Sequence, residues 1–317
     1  MNKTMKISEA ILFLVLINVC FGIIDHLQIK ECKHGTFLLS SFDSYISRHL
    51  LAYGEWAEKE LDLFLQIVKT GDIVLDVGAN IGAFTVPLAK AVGPFGRVYA
   101  FEPQRIISQR LSANVALNDL SNVFVYQAAV GQQHSYINVP KINYSVPANY
   151  GAVSLADQIL IEEVLHETAQ VITLDSLDFK QQGSKSDCPS LIKIDVELME
   201  RYVLIGARNL IARCKPILYV ENNCMMTSGP LVSLLYELDY VPYWDLTFAK
   251  DDIKTYDINM ICLHQSHIRK ETEATGHVSM IGYVVVELDK PYLHMYFSGQ
   301  HHQSGNESTC IDVSTCS

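Results

Sequence analysis

The order of apolar and amphipathic segments predicts an α/β protein: a doubly wound, mostly parallel sheet with helices on both faces. Three observations carry that reading. An apolar run after Gly71 ends in Asp76; Gly78, Asn80 and Gly82 punctuate the turn beyond it, and an apolar helix pattern follows. A second buried run, 97–101, ends on Glu102, twenty residues after Gly82. A third, Leu191–Asp195, ends on Asp195 with Glu197 two residues beyond. Each places polar groups at the carboxyl end of a buried strand, where open α/β sheets bind ligands.

The elements follow in order. Trp56, Leu61, Phe64, Ile67 and Val68 give 56–69 the period of an amphipathic helix. Strands at 72–77 and 97–101 alternate with helices at 83–92 and 104–118. A strand over Val123–Val130 precedes a polar, tyrosine-rich stretch to about residue 155. Strand 191–195, helix 198–212, strand 217–221, helix 230–239 and the apolar segments 241–244 and 260–264 complete the alternation. Ser279–Glu287 is a strand candidate outside it, and the end beyond Ser298 reads as disordered. The chain therefore divides into an N-terminal apolar segment (1–25), a helical lead-in (26–70), a ligand-binding domain (71–265) and a C-terminal extension (266–317).

Lys3 and Lys6 precede an apolar run over residues 10–24. Fifteen helical residues span about 22 Å, short of the roughly 30 Å hydrocarbon core. The run fits a signal peptide, with a short membrane anchor or a docked helix as the other readings. A signal or anchor would place the domain outside or in a lumen, with membrane contact through 10–24; otherwise the chain stays cytoplasmic. The 317 residues are 49% hydrophobic and 19% charged, a globular balance. A formal net charge of −11 with no basic stripe argues against a nucleic-acid partner. None of the eight cysteines forms a C-x-x-C pair, which disfavours zinc. Cys310 and Cys316 are close enough in sequence to bridge after export, while Cys214 and Cys262 read as buried thiols. Asn143-Tyr-Ser145 and Asn306-Glu-Ser308 match the glycosylation sequon, a short pattern that also arises by chance.

The first corner reads as a nucleoside-cofactor pocket. An acid at Glu102 suits the two hydroxyls of an adenosine ribose. Asn80 and Ala83 stand where a dinucleotide fingerprint needs glycine, and no Lys-Ser/Thr pair follows for a phosphate loop. Asp76 would repel a pyrophosphate and favour the amino and sulfonium groups of S-adenosylmethionine; the plainer alternative is a helix-capping Asp. Asp195 should emerge beside Asp76 and Glu102, and with Glu197 it can deprotonate a hydroxyl or hold a divalent cation. The alternative is that Glu197 and Glu200 serve the following helix dipole.

Asp76-Val-Gly-Ala-Asn-Ile-Gly82, Phe101-Glu-Pro103, Thr173-Leu-Asp175 and Lys193-Ile-Asp-Val-Glu197 occur in one order, with Tyr53-Gly-Glu-Trp56 upstream and Glu221-Asn222 downstream. The set resembles the FkbM-type family of S-adenosylmethionine-dependent methyltransferases over roughly residues 45–265. The resemblance implies a class I methyltransferase fold, Rossmann-like, and methyl transfer to oxygen, commonly a hydroxyl of a sugar or polyketide. It implies that Asp76, Gly78, Asn80 and Gly82 wrap the methionine part of the cofactor and that Glu102 binds the ribose. Asp195 and Glu197 would lie where the methyl moves. One position departs: Leu198 stands where the family motif has glycine, a place suggesting positive φ or close approach of backbone to ligand.

Gln127 to Ala129, with Ala128 central, should flank the adenine. Asn114 and Asn118 read as helix caps, or as groups on the adenine side. Tyr136, Tyr144 and Tyr150 suit sugar stacking or a plain loop, and Trp244 reads as core with an acceptor-facing edge. His301 and His302 read as solvated. The rival to an enzyme is a non-catalytic binding protein that keeps the fold; an NAD-dependent sugar enzyme lacks the glycines it needs.

Overall fold

The computed structural model describes residues 26–151, 165–179, 187–245, 259–270, 277–280 and 283–287. The apolar run at 10–24, the histidine pair, Cys310, Cys316 and the tail lie outside them. Among the described residues no helix is long and apolar enough to cross a membrane.

A seven-stranded sheet forms the centre. Its strands are β3 (Ile73–Val77), β4 (Arg97–Phe101), β5 (Val123–Tyr126), β9 (Pro189–Ile194), β10 (Ile217–Glu221), β11 (Tyr240–Asp245) and β12 (Asn259–His264). They lie in the order β11-β12-β10-β9-β3-β4-β5. β10, β9, β3, β4 and β5 are parallel, and β12 runs against both β10 and β11. The sheet is therefore mixed, as well as mostly parallel. Strand order reverses between β3 and β9, the switch point at which a ligand crevice opens.

Both faces are covered, which explains why every residue of β3 and β4 is buried. Ile73, Leu75 and Val77 pack on one face with Val203, Leu204, Leu210, Leu231 and Leu235. These come from α5 (Glu200–Ile205), α6 (Arg208–Cys214) and α7 (Met225–Glu237). Val74 on the other face meets Leu61, Phe64, Leu88 and Val92 from α2 (Glu58–Ile67) and α3 (Thr85–Val92).

Residues 26–70 differ from the expected helical lead-in. They open on a hairpin, β1 (Leu27–Cys32) and β2 (Gly35–Ser40), followed by α1 (Ile46–Tyr53) and then α2. The edge of β2 is satisfied by side chains of α4 (Arg105–Leu117) and its end. Asn114 Oδ1 accepts from Leu38 N at 2.6 Å and its Nδ2 donates to Ile81 O at 2.8 Å. Asn118 exchanges two bonds with the backbone of Thr36. These amides do the work of a missing strand partner. Residue period could not show this, because the contacts span about eighty residues of sequence.

Three further elements depart from expectation. The 123–130 strand splits at Gln127, and β6 (Ala128–Val130) joins β8 (His166–Ile172) and β7 (Ser135–Pro140) in a small separate sheet. The 198–212 helix breaks at Gly206, where an added Cβ would lie 2.0 Å from Gly131 O. The 230–239 helix starts at Met225, with Pro230 inside it. Cys214 is no free thiol: it forms a disulfide with Cys188, while Cys262 is free and buried. The strand candidate at 279–287 appears as β14 (His277–Met280) and β15 (Tyr283–Glu287), paired with β13 (Ile268–Lys270).

Candidate functional site

A cavity of about 770 Å³ opens at the carboxyl ends of β3, β4, β9 and β10. Gly78, Asn80, Glu102, Ala128, Asp195 and Glu197 all line it. Asp76 and Gly82 are absent from its walls.

The loops that build the cavity are stitched backbone to backbone. The amides of Gly78 and Ala79 both donate to Phe101 O, and Asp195 N donates to Val77 O. Gly78 has φ +81°, and a Cβ there would sit 1.7 Å from Asp195 O. Gly82, at φ +89°, instead lets Leu111 of α4 approach. One glycine thus joins two site loops, and the other seats a helix.

Glu102 is held by both oxygens. Oε2 accepts from Asn80 N at 3.0 Å and Oε1 from Gln104 N at 2.9 Å. Burial pushes its pKa up to about 7, against the pull of the two amides and of Lys193. Each oxygen keeps a lone pair for another donor.

Asp76 lies beneath this floor, 1% exposed. Its Oδ2 accepts from the Thr85 hydroxyl at 2.6 Å, and Oδ1 faces Lys193 Nζ at 3.6 Å. Lys193 in turn meets Asp195 Oδ2 at 3.1 Å and donates to Gly78 O at 3.3 Å. Burial opposes its charge, but Asp195 and Asp76 hold its pKa above the ordinary lysine range. Asp76 therefore reaches the cavity through Lys193. A lysine inside the apolar run Leu191–Ile194 was the sequence signal for such a buried pair.

Asp195, Glu197 and Glu221 bring carboxylate oxygens within 4.8 Å of one another. Glu221 ends β10 and is 8% exposed. Its pKa is raised well above the usual carboxylate range by burial and then by Asp195, Glu197 and Glu200. A hydrogen bond with Asp195 adds to the upward shift of Glu221. Sequence reasoning placed Asp195 and Glu197 here and gave Glu221 no role.

Glu197 and Leu198 are both left-handed, at φ +50° and +77°. Glu200 holds that path, because its Oε1 accepts from Val196 N and Leu198 N, each at 3.2 Å. Leu198 thus adopts the backbone a glycine would take, at a cost of about 1–2 kcal/mol, and stays out of the cavity wall, which runs Val196, Glu197, Met199. Its side chain therefore does not narrow the cavity. Burial lifts the Glu200 pKa to about 7.

The tyrosines divide. Tyr150 is buried and its hydroxyl donates to Tyr144 O and Val146 O, while the Tyr144 hydroxyl donates to Gln104 Oε1. The Arg110 guanidinium lies over both rings at 5.4 and 5.6 Å. These two hold the loop together. Tyr136 is 76% exposed on β7. Trp244 pairs in register with Met260, and its side chain lies outside what is described.

A family model described as the methyltransferase FkbM domain matches residues 76–242, more than half of the chain. The chain belongs to the FkbM methyltransferase family. The crystal structure of FkbM methyltransferase from Methylobacillus flagellatus KT is 20% identical, with a TM-score of 0.40, and the match covers 61% of this chain and 44% of that one. The O-methyltransferase TomG from Streptomyces achromogenes is 13% identical, with a TM-score of 0.40, over 65% of this chain and 78% of that one. The 23S rRNA uracil methyltransferase RlmD of Acinetobacter baylyi is 36% identical over 69 residues, which is 22% of this chain and 15% of RlmD. The chain thus spans less than half of that FkbM methyltransferase and under a sixth of RlmD, and neither bears on its acceptor.

The carboxyls of this FkbM-family domain predict a pH signature. Glu102 and Glu200, both lifted to about 7, hold protons in the fold that the unfolded chain releases near 4.5. Their contribution is complete below about pH 4.5 and is lost as pH rises through 7, on the order of 1–3 kcal/mol for each. The melting temperature of the ligand-free protein should fall between pH 5 and pH 8. A flat profile would mean that neither carboxyl is protonated in the fold.

Proposed function

We propose that the cavity binds S-adenosylmethionine and that the enzyme methylates a hydroxyl of a sugar or other small-molecule or glycolipid acceptor. The observation that carries this is the acidic lining of the cavity: Glu60, Asp195 and Glu197, joined by Glu102 and Glu221, which burial pushes toward their neutral forms, face Arg48 and Lys193. Such a wall suits a ligand bearing amino and sulfonium cations and disfavours a pyrophosphate. About 770 Å³ lies within the range of ligand sites and leaves room for an acceptor beside a nucleoside.

In this reading Glu102 accepts the two ribose hydroxyls through its unused lone pairs. Gly78 and Asn80 present the turn to the methionine part, and Ala128 leaves space beside the adenine. Bound S-adenosylmethionine supplies an electrophilic methyl group. Asp195 or Glu197 receives the acceptor hydroxyl proton, and Lys193 orients Asp195 from below. Holding the acceptor oxygen in line is the other task of the cavity wall. No Asn/Asp-Pro-Pro-aromatic motif follows β9, where Asp195-Val-Glu197 stands, which favours oxygen over an amino group as acceptor.

Calorimetric titration of the protein with S-adenosylmethionine, S-adenosylhomocysteine and NAD tests the cofactor. Micromolar binding of the two adenosyl ligands without NAD is expected. Folded protein that binds neither would move the assignment to a non-catalytic member of the family. An ionised Glu102 is the form that accepts two hydroxyls, so affinity should rise about tenfold from pH 6 to pH 8 and then level off.

The acid triad favours a second reading in one respect. Three carboxyl groups around one point repel, and a divalent ion is one way, beside a proton and the Lys193 ammonium, to relieve that repulsion. Turnover that survives EDTA assigns the triad to proton transfer. Turnover lost to EDTA and restored by Mg2+ assigns it an ion that activates the hydroxyl.

A further inference from the structure

We propose that Asn143 is an N-glycosylation site and that this domain matures in an oxidising secretory lumen. The proposal goes beyond methyl transfer and rests on features the cavity does not use.

The first is the disulfide between Cys188, just before β9, and Cys214, at the end of α6. Disulfides form and persist in exported and lumenal proteins, whereas cytosolic thiols are kept reduced. Neither cysteine lines the cavity, so the bridge has no place in the chemistry there. It staples the start of a central strand to the helix packed over it. The second is the turn carrying Asn143-Tyr144-Ser145. Asn143 and Ser145 are exposed, and Ser145 N donates to Asn143 Oδ1 at 3.0 Å. Among the described residues Asn143 Nδ2 makes no hydrogen bond, so a glycan there breaks nothing. Tyr144 between them turns inward, its hydroxyl on Gln104. Sequons arise by chance, but here Asn143 and Ser145 both lie exposed on a loop, as an N-glycan requires. The third is in the sequence: Lys3 and Lys6 before the apolar run of residues 10–24 have the order of an export signal.

The two modifications balance as follows. Asn143 Nδ2 forms a bond to C1 of an oligosaccharide carried on a lipid diphosphate; the C1–O bond to the diphosphate breaks and the amide nitrogen loses one proton. The two cysteine thiols give up two electrons and two protons to a protein disulfide of the lumen, which is reduced to a dithiol.

The test is expression of the full chain, with its own N-terminus, in a eukaryotic secretory cell, followed by peptide mass mapping without reduction. The expected result is a cross-linked peptide joining Cys188 to Cys214, and a peptide beginning after Lys141 whose Asn143 becomes Asp on N-glycosidase treatment. Asn143→Gln should remove that glycan and leave the cross-link. Recovery of the chain from the cytosol, an unmodified Asn143 in lumenal protein, or free thiols at 188 and 214 would each overturn the proposal. The wild-type map gives the answer even if the variant is poorly secreted.

Discussion

Asp195→Asn should lower turnover by at least a hundredfold while changing S-adenosylmethionine affinity by no more than a few-fold. The amide keeps the shape of the side chain, and its oxygen can still accept from Lys193 Nζ, now 3.1 Å from Asp195 Oδ2. What it loses is the capacity to take a proton. Removing a positioned general base costs typically 10²–10⁴ in rate. The floor of the cavity should hold, because it rests on main-chain bonds from Gly78, Ala79 and Asp195 N, none of which uses the carboxylate. The check is single-turnover methylation beside calorimetry on the same preparation. Near-normal turnover would remove Asp195 from proton transfer and leave Glu197 and Glu221 to carry it. A large loss of cofactor affinity would make Asp195 a binding group.

Gly78→Ala should be more damaging to the fold than any ordinary surface glycine change. Its Cβ would lie 1.7 Å from Asp195 O and 2.8 Å from Asp195 C, both backbone atoms that cannot swing aside. Separating the loops would break the adjoining bonds to Phe101 O and from Asp195 N. Overpacking costs about 1–3 kcal/mol, and the left-handed backbone at φ +81° adds about 1–2 kcal/mol for a residue with a Cβ. A loss of about 2–5 kcal/mol is expected in urea unfolding. Gly71→Ala is the control: its φ is +95°, yet nothing lies within 4 Å of the added carbon. It should show the conformational part alone, about 1–2 kcal/mol. Equal losses at the two glycines would mean that the loops part without cost.

The site's legibility in the sequence follows from where its residues stand. Gly78, Asn80, Glu102, Asp195 and Glu197 each close a buried apolar run, and that position alone brings them to one edge of a parallel sheet. Lys193 and Glu221 were present in the same runs. Their roles depend on distances between strands: Lys193 bridges β3 to β9 through Asp76 and Asp195, and Glu221 meets Asp195 across the β9–β10 pair. Asp76 illustrates the limit well. The sequence puts it at the loop, and the structure turns it under the floor toward Thr85.

By itself the sequence determined the order of the parallel strands and helices, the carboxyl-end location of the pocket and the acidic sign of its wall. Hydrophobic period and strand-end position are local properties, set within about ten residues of chain. Only the tertiary structure decided the β1–β2 hairpin clamped by Asn114 and Asn118, the split of residues 123–130 between two sheets, the Cys188–Cys214 bridge and the left-handed path of Leu198. Each of these is made by partners outside the segment itself. The backbone amides of β2 and the hydrogen bonds from Val196 and Leu198 to Glu200 choose conformations that no local preference of those residues would select.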